Sequence, residues 1–333
     1  MFWEKLRRWL TGFLALAGLQ LLEAANQPHL ATVSINGQPY ISVVGWSSLY
    51  NLSSRWEPKS SELRLTNRWT HLEFKADTRR VEVDDVSVNL SFPVLRVGDR
   101  LYLALRDEET VLRPLLKPPR LPAGRKITTI ALSPGHGGKD PGHIEGSRTE
   151  KYYTLQLALE VQRLLQKNGF KVIMSRSDDA YVSLEERPAI ARKRGADLYL
   201  CLHFNSAGGA EAPQGLETYC LTPSGASSTN DRGNNGGSAR TGNRWDHENL
   251  QLAYQLHRAI LSEIDFGDRG VRHSRFKELA LAEMPAAYIE GGFMSNHEDA
   301  KRIFSESGRT RFAAAIVDGI MAFKRLVERG QPE

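Results

Sequence analysis

Cysteine is scarce in this sequence: Cys201 and Cys220 are the only two among 333 residues. Two cysteines are too few for a disulfide framework or a four-cysteine zinc site. Both lie in segments that we expect to form strands. We therefore expect each to be buried as a small apolar side chain, with a cross-strand disulfide as the alternative.

The sequence also lacks two patterns that define large function classes. No basic stripe with interleaved aromatic residues is present, so the net charge of +5 does not indicate nucleic-acid binding. A mild positive charge favours anionic polymers such as cell-wall material, or lipid headgroups. No G-x-S-x-G motif occurs, and Cys201 lies inside an apolar run, so neither a serine nor a cysteine nucleophile is indicated.

The apolar stretch near the start, Trp9 to Leu22, is too short to span a bilayer, which takes roughly 20 residues. Basic residues precede it, and Glu23-Ala24-Ala25 follows. This order is typical of a secretory signal, so we assign residues 1–25 to a signal peptide and expect export to the periplasm or cell wall. Because Leu22 or Glu23 stands where a small residue is preferred, an uncleaved anchor that tethers the chain to a membrane is the alternative.

Residues 30–117 consist of short segments in which apolar and polar residues alternate, as in half-buried strands. Asn36-Gly37 predicts a tight hairpin, and the segment around Gly98 repeats its strand–glycine–strand pattern. We expect a small β-rich accessory domain that binds a wall component or a protein. Residues 118–126 are rich in proline and predict a stiff, solvated linker.

From residue 127 to 329, predicted strands alternate with predicted helices. This order indicates an α/β domain with a mostly parallel central sheet flanked by helices. The strands are expected at 127–133, 170–175, 197–203, 215–221 and 285–290. Residues 222–246 are dominated by Ser, Gly, Asn, Thr and Arg, and predict a flexible, non-helical surface loop.

Four side chains should meet at one edge of this sheet. His136, His203 and Glu290 stand at the ends of predicted strands, and Glu150 opens a helix at the same edge. Two imidazoles and one carboxylate are the ligand set of a catalytic zinc ion, with one position left open. The remaining carboxylate can then act as general base and general acid on an amide substrate.

Other polar residues near these motifs leave more than one interpretation open. Glu217 either faces a substrate groove, as a substrate or second-shell residue, or faces solvent; we place Asn205 with it as a candidate for the same role. His143 and His273 are expected to be surface or substrate-side groups rather than ligands.

Several motifs occur in order and together resemble the zinc-dependent N-acetylmuramoyl-L-alanine amidases, the amidase type 3 family of cell-wall hydrolases. They are Pro-Gly-His136-Gly-Gly-Lys-Asp-Pro-Gly, Glu150-Lys, Ser-Leu-x-Glu-Arg-Pro, Leu-His203-Phe-Asn-Ser, Gly-Leu-Glu-Thr-Tyr, Asp-Arg-Gly-Val and Ile-Glu290-Gly-Gly-Phe-Met-Ser-Asn. The first domain resembles the small β-rich domain named after the copper amine oxidase N-terminus. That resemblance implies no copper, since His71 is its one histidine.

The amidase resemblance implies that His136, Glu150 and His203 bind one zinc ion and that Glu290 is the catalytic carboxylate. Two features depart from the family. Phe204 stands where alanine is usual, which we expect to reshape the groove. Some members carry an inhibitory helix in the region of 222–246, whose composition here does not favour a helix.

We therefore predict a zinc-dependent hydrolase that cleaves the amide bond between N-acetylmuramic acid and L-alanine in peptidoglycan. Two alternatives belong to other classes. One is a catalytically silent wall-binding module, which need hold no stoichiometric zinc. The other is a zinc peptidase that cuts within the stem peptide.

Overall fold

The computed structural model describes residues 30–57, 62–208, 213–230 and 237–329. The predicted signal peptide, residues 1–25, lies outside this described part. Among the helices that are described, none is both long and apolar enough to cross a membrane.

The first part of the chain forms nine strands, because its apolar and polar residues alternate with the period of a pleated strand. They are β1 (Thr32–Ile35), β2 (Gln38–Ser42), β3 (Ser53–Glu57), β4 (Glu62–Thr66), β5 (His71–Lys75), β6 (Arg80–Val83), β7 (Val86–Asn89), β8 (Leu95–Val97) and β9 (Arg100–Ala104). Short helices lie at α1 (Val43–Ser47), α2 (Leu105–Asp107) and α3 (Arg113–Leu116), with a π-helical turn at Glu108–Leu112 between the last two.

The predicted hairpin and its repeat form one small sheet. Asn36 and Gly37 both have positive φ, 51° and 75°, as the tight turn between β1 and β2 requires. Gly98 has a φ of 64° in the equivalent turn between β8 and β9. The two hairpins pair through β2 and β9, giving the strand order β1-β2-β9-β8. The weak repeat in the sequence therefore corresponds to a real structural repeat.

The second part of the chain has the predicted alternation of strands and helices. Its strands are β10 (Thr129–Pro134), β11 (Ile144–Glu145), β12 (Arg148–Thr149), β13 (Lys171–Met174), β14 (Leu198–Asn205), β15 (Leu216–Leu221), β16 (Asp268–Ser274) and β17 (Ala286–Phe293). Its helices are α4 (Glu150–Lys167), α5 (Glu186–Lys193), α6 (Asp246–Glu263), α7 (Lys277–Leu281), α8 (His297–Phe304) and α9 (Glu306–Arg329). The strand expected to end at Glu290 continues through Gly291 and Gly292 to Phe293.

The central sheet is mostly parallel in this part. Strands β13, β10, β14 and β17 are parallel neighbours, whereas β15 is antiparallel to β17 and parallel to β16. The sheet does not stop at β16, because Val271 pairs with Val88 of β7. It continues through β6, β5 and β4 to β3, giving eleven strands in one sheet.

The two faces of the sheet are covered differently. On one face, α4, α6 and α9 bury the main hydrophobic core, which also includes the apolar residues of β4–β7. Phe204 lies in this core, 6.4 Å from Phe312 between ring centroids. The expectation that Phe204 reshapes the groove is therefore wrong, since the alternation of β14 turns it away from His203. On the other face, α5 and α7 cover a smaller cluster that includes Tyr199, Cys201, Tyr219 and Tyr288.

Two connecting segments pack more closely than expected. In the proline-rich stretch, Leu121 donates its N–H to the Val327 carbonyl at 2.9 Å, so this stretch is partly anchored to α9. Within 222–246, Ala226 and Ser228 are buried, and Thr241–Trp245 forms a 3-10 helix. The prediction of a flexible, non-helical loop is therefore wrong for these two described portions.

Both cysteines are free and buried, as expected. Cys201 lies on the face of the sheet that α5 and α7 cover, and Cys220 lies in the main core. The alternative of a disulfide between them is wrong.

Candidate metal centre

The first site residue, His136, lies in a tight turn directly after β10. Its φ of 60° is unusual for a residue with a side chain, and Gly137 and Gly138 also have positive φ. His136 Nδ1 lies 2.8 Å from Asp140 Oδ2, and the backbone N–H groups of Gly137 and Asp140 bond each other's carbonyls. These contacts orient the ring so that Nε2 faces the sheet edge.

Two buried arginines hold the backbone of this turn. Arg176 donates to the carbonyls of Pro134 (3.1 Å) and Gly135 (2.6 Å). Arg187 donates to the carbonyls of Pro134 (2.6 Å) and His136 (2.7 Å). Together the guanidinium groups bind three consecutive carbonyls, and this offsets the unfavourable backbone conformation of His136.

Glu150 opens α4 and is 4% exposed. Its Oε2 lies 3.0 Å from His136 Nε2, and its Oε1 lies 3.0 Å from His203 Nδ1. The N–H groups of His143 and Phe204 also donate to this carboxylate. Burial alone would raise the pKa of Glu150, but the hydrogen bonds and charges of the two histidines outweigh it and lower that pKa well below its ordinary value.

The same carboxylates act on His136. Burial opposes protonation of its imidazole, yet Glu150 and Asp140 outweigh burial and raise its pKa. Where carboxylates raise the proton affinity of an imidazole in this way, a bound cation can take the proton's place.

His203 lies on β14, in register with Glu290 of the neighbouring strand β17. Its ring stacks on Tyr288 at a centroid distance of 4.5 Å and an interplanar angle of 12°. Its Nε2 is buried and has no partner in the described part of the chain. Because an unpaired buried nitrogen is unfavourable, this atom is suited to a ligand that the protein chain does not supply.

Ligand atoms of His136, Glu150 and His203 all lie within 4.8 Å of one another. Two glycines leave room for this convergence. A Cβ at Gly135 would lie 2.2 Å from His203 Cε1, and a Cβ at Gly142 would lie 2.6 Å from both His136 Cδ2 and Glu150 Oε2. Two imidazoles, one carboxylate and an unpaired buried nitrogen fit a zinc ion.

Glu290 lies beside this cluster on the same face of the sheet. Glu217, Glu290 and His203 form one row across β15, β17 and β14, because the strands pair in that register. Glu290 is half-buried, and its Oε2 is buried without a partner among the described residues. Burial first, and then the charges of Glu150 and Glu217, raise the pKa of Glu290 well above its ordinary value. A carboxyl with a raised pKa can both accept and donate a proton near neutral pH.

Glu217 is buried, so the alternative in which it faces solvent is wrong. Its Oε1 accepts from Arg269 Nε (2.7 Å) and Arg272 Nη1 (2.5 Å). Its Oε2 accepts from Tyr219 Oη (2.6 Å) and Asn205 Nδ2 (3.1 Å). Glu217 thus links the end of β14, where Asn205 lies, to β16.

The two further histidines differ in their surroundings. His143 is half-buried, and its Nε2 lies 3.1 Å from Glu145 Oε2. His273 is 2% exposed, with Nδ1 3.2 Å from Cys220 Sγ. The prediction of a surface or substrate-side His273 is wrong, because it lies on a strand between two covered layers. Burial lowers the pKa of its imidazole to about 4, so it is neutral.

A cleft of about 330 Å³ opens beside the cluster. It is lined by His136, His203, Tyr181, Leu184, Phe276 and Tyr288, among others. Buried Glu278 forms part of its floor and accepts from Ser133 Oγ (2.9 Å) and Tyr199 Oη (2.5 Å). The sequence patterns did not predict the supporting roles of Glu278, Arg176 and Arg187. Of these, only Arg187 stands in a recognisable motif, Ser-Leu-Glu-Glu-Arg-Pro.

A protein-family model described as N-acetylmuramoyl-L-alanine amidase matches residues 130–322 of the chain. The match includes every site residue named above.

Curated relatives are similar over the same region. A sporulation-specific N-acetylmuramoyl-L-alanine amidase of Bacillus subtilis is 32% identical over 198 residues, which cover 58% of this chain and 67% of the relative. A probable cell wall amidase, LytH, of Staphylococcus aureus is 33% identical over 199 residues, covering 59% of this chain and 58% of the relative.

Solved structures agree with the fold. The N-acetylmuramoyl-L-alanine amidase AmiC2 of Nostoc punctiforme superimposes with a TM-score of 0.50 at 28% identity, covering 60% of this chain and 98% of that chain. An N-acetylmuramoyl-L-alanine amidase from Clostridium difficile 630 gives the same TM-score and identity, covering 60% of this chain and 97% of that chain.

Proposed function

The chain belongs to the N-acetylmuramoyl-L-alanine amidase family, and we propose that its metal centre uses zinc to hydrolyse the amide bond between N-acetylmuramic acid and L-alanine. The enzyme class and the peptidoglycan substrate follow from the family. The observation that carries the zinc proposal is the convergence of His136, Glu150 and His203 within 4.8 Å.

His136, Glu150 and His203 would hold the ion, one atom from each. A bound zinc ion lowers the pKa of water to about 7 and polarises the amide carbonyl. The protein contributes a rigid site: the arginine pair fixes the His136 turn, and Tyr288 fixes the plane of the His203 ring. A rigid ligand set reduces the reorganisation that the reaction requires.

Glu290 is the proposed general base and general acid. It takes the proton of the attacking water, and it gives that proton to the amide nitrogen as the carbon–nitrogen bond breaks. Its raised pKa and its unpaired Oε2 support this role.

Glu217 and Asn205 are proposed to support the site by holding the residues around it in place. The two oxygens of Glu217 accept hydrogen bonds from four donors, so its side chain is held in one position beside Glu290. Asn205 bonds both Glu217 Oε2 and the N–H of Ser206, and so orders the segment that leaves β14.

For the whole chain, we propose a signal peptide or anchor at 1–25, an accessory domain at 30–117, a linker at 118–126 and the zinc amidase domain at 127–329. The enzyme would be exported to the periplasm or cell wall, where its substrate is located. Within residues 5–25, basic residues are followed by an apolar stretch and then by two alanines, and this order supports export.

The test is the Glu290→Ala variant. We expect it to lose about 10²–10⁴-fold in turnover, because the proton transfer loses its carrier. It should still hold one zinc ion per chain, measured by plasma mass spectrometry, because Glu290 is outside the ligand cluster. Turnover close to that of wild type would contradict the role of Glu290.

His136→Ala is the matched variant for the metal. It should lose zinc and activity together. Mass spectrometry of digested peptidoglycan then identifies the bond: an amidase releases intact stem peptides that begin with L-alanine. Shortened stem peptides would indicate a peptidase, and wild-type protein without zinc would overturn the metal assignment.

A further inference from the structure

A second cleft, of about 390 Å³, lies away from the metal centre. One wall is a face of α6 formed by Gln251, Tyr254, Gln255 and Arg258, and a second is the face of α9 that carries Arg325. The third wall includes Trp69, between β4 and β5, and Asp84, between β6 and β7. We call it the junction cleft. Since α6 and α9 cover the face of the sheet opposite α5 and α7, it is separate from the catalytic cleft.

The junction cleft has a fixed frame. Tyr254 is buried, and its hydroxyl donates to the Val83 carbonyl at 2.9 Å, joining α6 to the end of β6. Asp84 Oδ1 accepts from the His71 N–H at 2.8 Å and holds the neighbouring hairpin. The walls therefore do not depend on a ligand for their position.

One buried polar atom in this cleft lacks a partner. Gln251 is 2% exposed, and its Oε1 has no partner in the described part of the chain. A buried amide oxygen without a donor is unfavourable, so a ligand or water that donates a hydrogen bond would stabilise it.

Positive charge at the cleft is also unpaired. Arg258 and Arg325 are exposed, and neither forms a hydrogen bond or ion pair with the residues described. Arg68 stacks over the Trp69 ring at 4.4 Å and adds a third cation. Asp84 is the one acidic side chain among the lining residues. The balance favours an anionic ligand.

Trp69 is 74% exposed, the highest value among the exposed large apolar side chains. An exposed indole beside hydrogen-bonding groups provides a flat apolar surface for a ring, as in the stacking of ligands on aromatic side chains.

From these groups together we propose that the junction cleft is a second ligand site, which binds an anionic saccharide. The sugar ring would lie on Trp69, its acidic group would bind Arg258 and Arg325, and an amide or hydroxyl donor would reach Gln251. The acidic group could be a carboxylate or a phosphate, since both match guanidinium groups. The site would hold the wall polymer independently of catalysis.

The test is isothermal titration calorimetry of the full chain with three probes. The disaccharide of N-acetylglucosamine and N-acetylmuramic acid carries a carboxylate, N-acetylglucosamine 6-phosphate carries a phosphate, and diacetylchitobiose is uncharged. None contains a stem peptide, so none is cleaved, and the result does not depend on the zinc proposal. We expect an acidic probe to bind, more weakly at high salt, and the uncharged probe to bind at least about tenfold more weakly.

The variants locate the site. R258A/R325A and W69A should each weaken binding of the acidic probe about tenfold or more. The control R163A/R194A removes two exposed arginines elsewhere and should bind like wild type, and so should H136A, which alters the catalytic cleft. Binding that H136A abolishes, binding that R258A/R325A leaves unchanged, or no binding of either acidic probe would overturn the proposal.

Discussion

At the scale of single residues, Glu217 is a carboxyl group held tightly in place near the catalytic face. Four donors bind its two oxygens, and two of those donors are arginines. The sequence placed Glu217 correctly on a strand, but it could not show the burial. The burial of Glu217 depends on strand β16, which pairs with β15 and brings Arg269 and Arg272 beside it. This pairing is long-range in the sequence.

Glu217→Gln should lower the free energy of unfolding by about 3 kcal/mol, because it leaves the two partly buried guanidinium groups of Arg269 and Arg272 without a counter-charge. Urea unfolding measures this loss. Glu160→Gln is the matched control, since the Glu160–Arg163 pair lies on the surface of α4 and the same substitution there should change stability little. Equal effects of the two substitutions would contradict the account of Glu217.

Arg187 is expected to affect zinc binding indirectly, by holding the backbone of the turn that carries His136. Its guanidinium group forms no hydrogen bond with the ligand atoms of the metal cluster, yet it fixes the carbonyls of Pro134 and His136. Arg187→Lys should weaken zinc binding about 10–100-fold, because one ammonium group cannot bind both carbonyls in the same geometry.

A competition assay with a chromogenic chelator measures that affinity. Arg192→Lys serves as control, since Arg192 lies on the same helix but is exposed. Unchanged affinity in Arg187→Lys would show that the turn does not need the arginine.

At the scale of elements, the short helix α2 ends in a buried carboxylate. Asp107 Oδ1 accepts from the Ser91 N–H (2.7 Å) and Oδ2 from the Phe92 N–H (2.9 Å). Burial outweighs these bonds and raises the pKa of Asp107 to about 6, from 3.8. The folded chain therefore binds a proton more tightly than the unfolded chain between these two pH values.

Stability should consequently fall as pH rises from about 4 to about 6, by roughly 3 kcal/mol for this group. The Asp107→Asn variant lacks this titrating group. Its free energy of unfolding, relative to that of wild type, should therefore rise by this amount between pH 4 and pH 7. Urea unfolding at the two pH values measures the difference. A constant difference between variant and wild type would show that Asp107 titrates normally.

The sequence predicted most of these elements because local patterns determine them. The turn at Asn36-Gly37 and the strand before His136 both depend on residues a few positions apart. It did not predict the continuation of β17 beyond Glu290. Gly291 and Gly292 suggest a strand end, but both are needed for packing: a Cβ at Gly291 would lie 2.2 Å from the Phe312 ring.

At the scale of the whole molecule, the accessory strands and the α/β part share one sheet and one buried core. Besides the Val88–Val271 pairing, Ser87 donates its N–H to Asp268 Oδ2 at 2.9 Å and Asn89 Nδ2 donates to the Val271 carbonyl at 3.1 Å. A composition shift and a proline-rich stretch predict two units, but they do not reveal that strand edges pair between Val88 and Val271, 183 residues apart in the sequence.

Thermal unfolding of the described region should therefore be a single cooperative transition. Differential scanning calorimetry should give a calorimetric enthalpy equal to the van't Hoff enthalpy, because separating the units would expose the shared core to water. Two resolved peaks would contradict this expectation. The Asp268→Ala variant, which breaks a contact at the seam, should shift the whole transition to lower temperature.

Because both native thiols are buried, a cysteine introduced on the surface of the folded chain could be labelled selectively. Cys201 and Cys220 are both buried, and burial raises the pKa of each thiol. Maleimides should therefore not react with them in the native state. A cysteine introduced on the surface could carry a fluorophore without removal of the native pair. Conversely, the slow rate at which a maleimide labels the native cysteines would measure how often the central sheet opens.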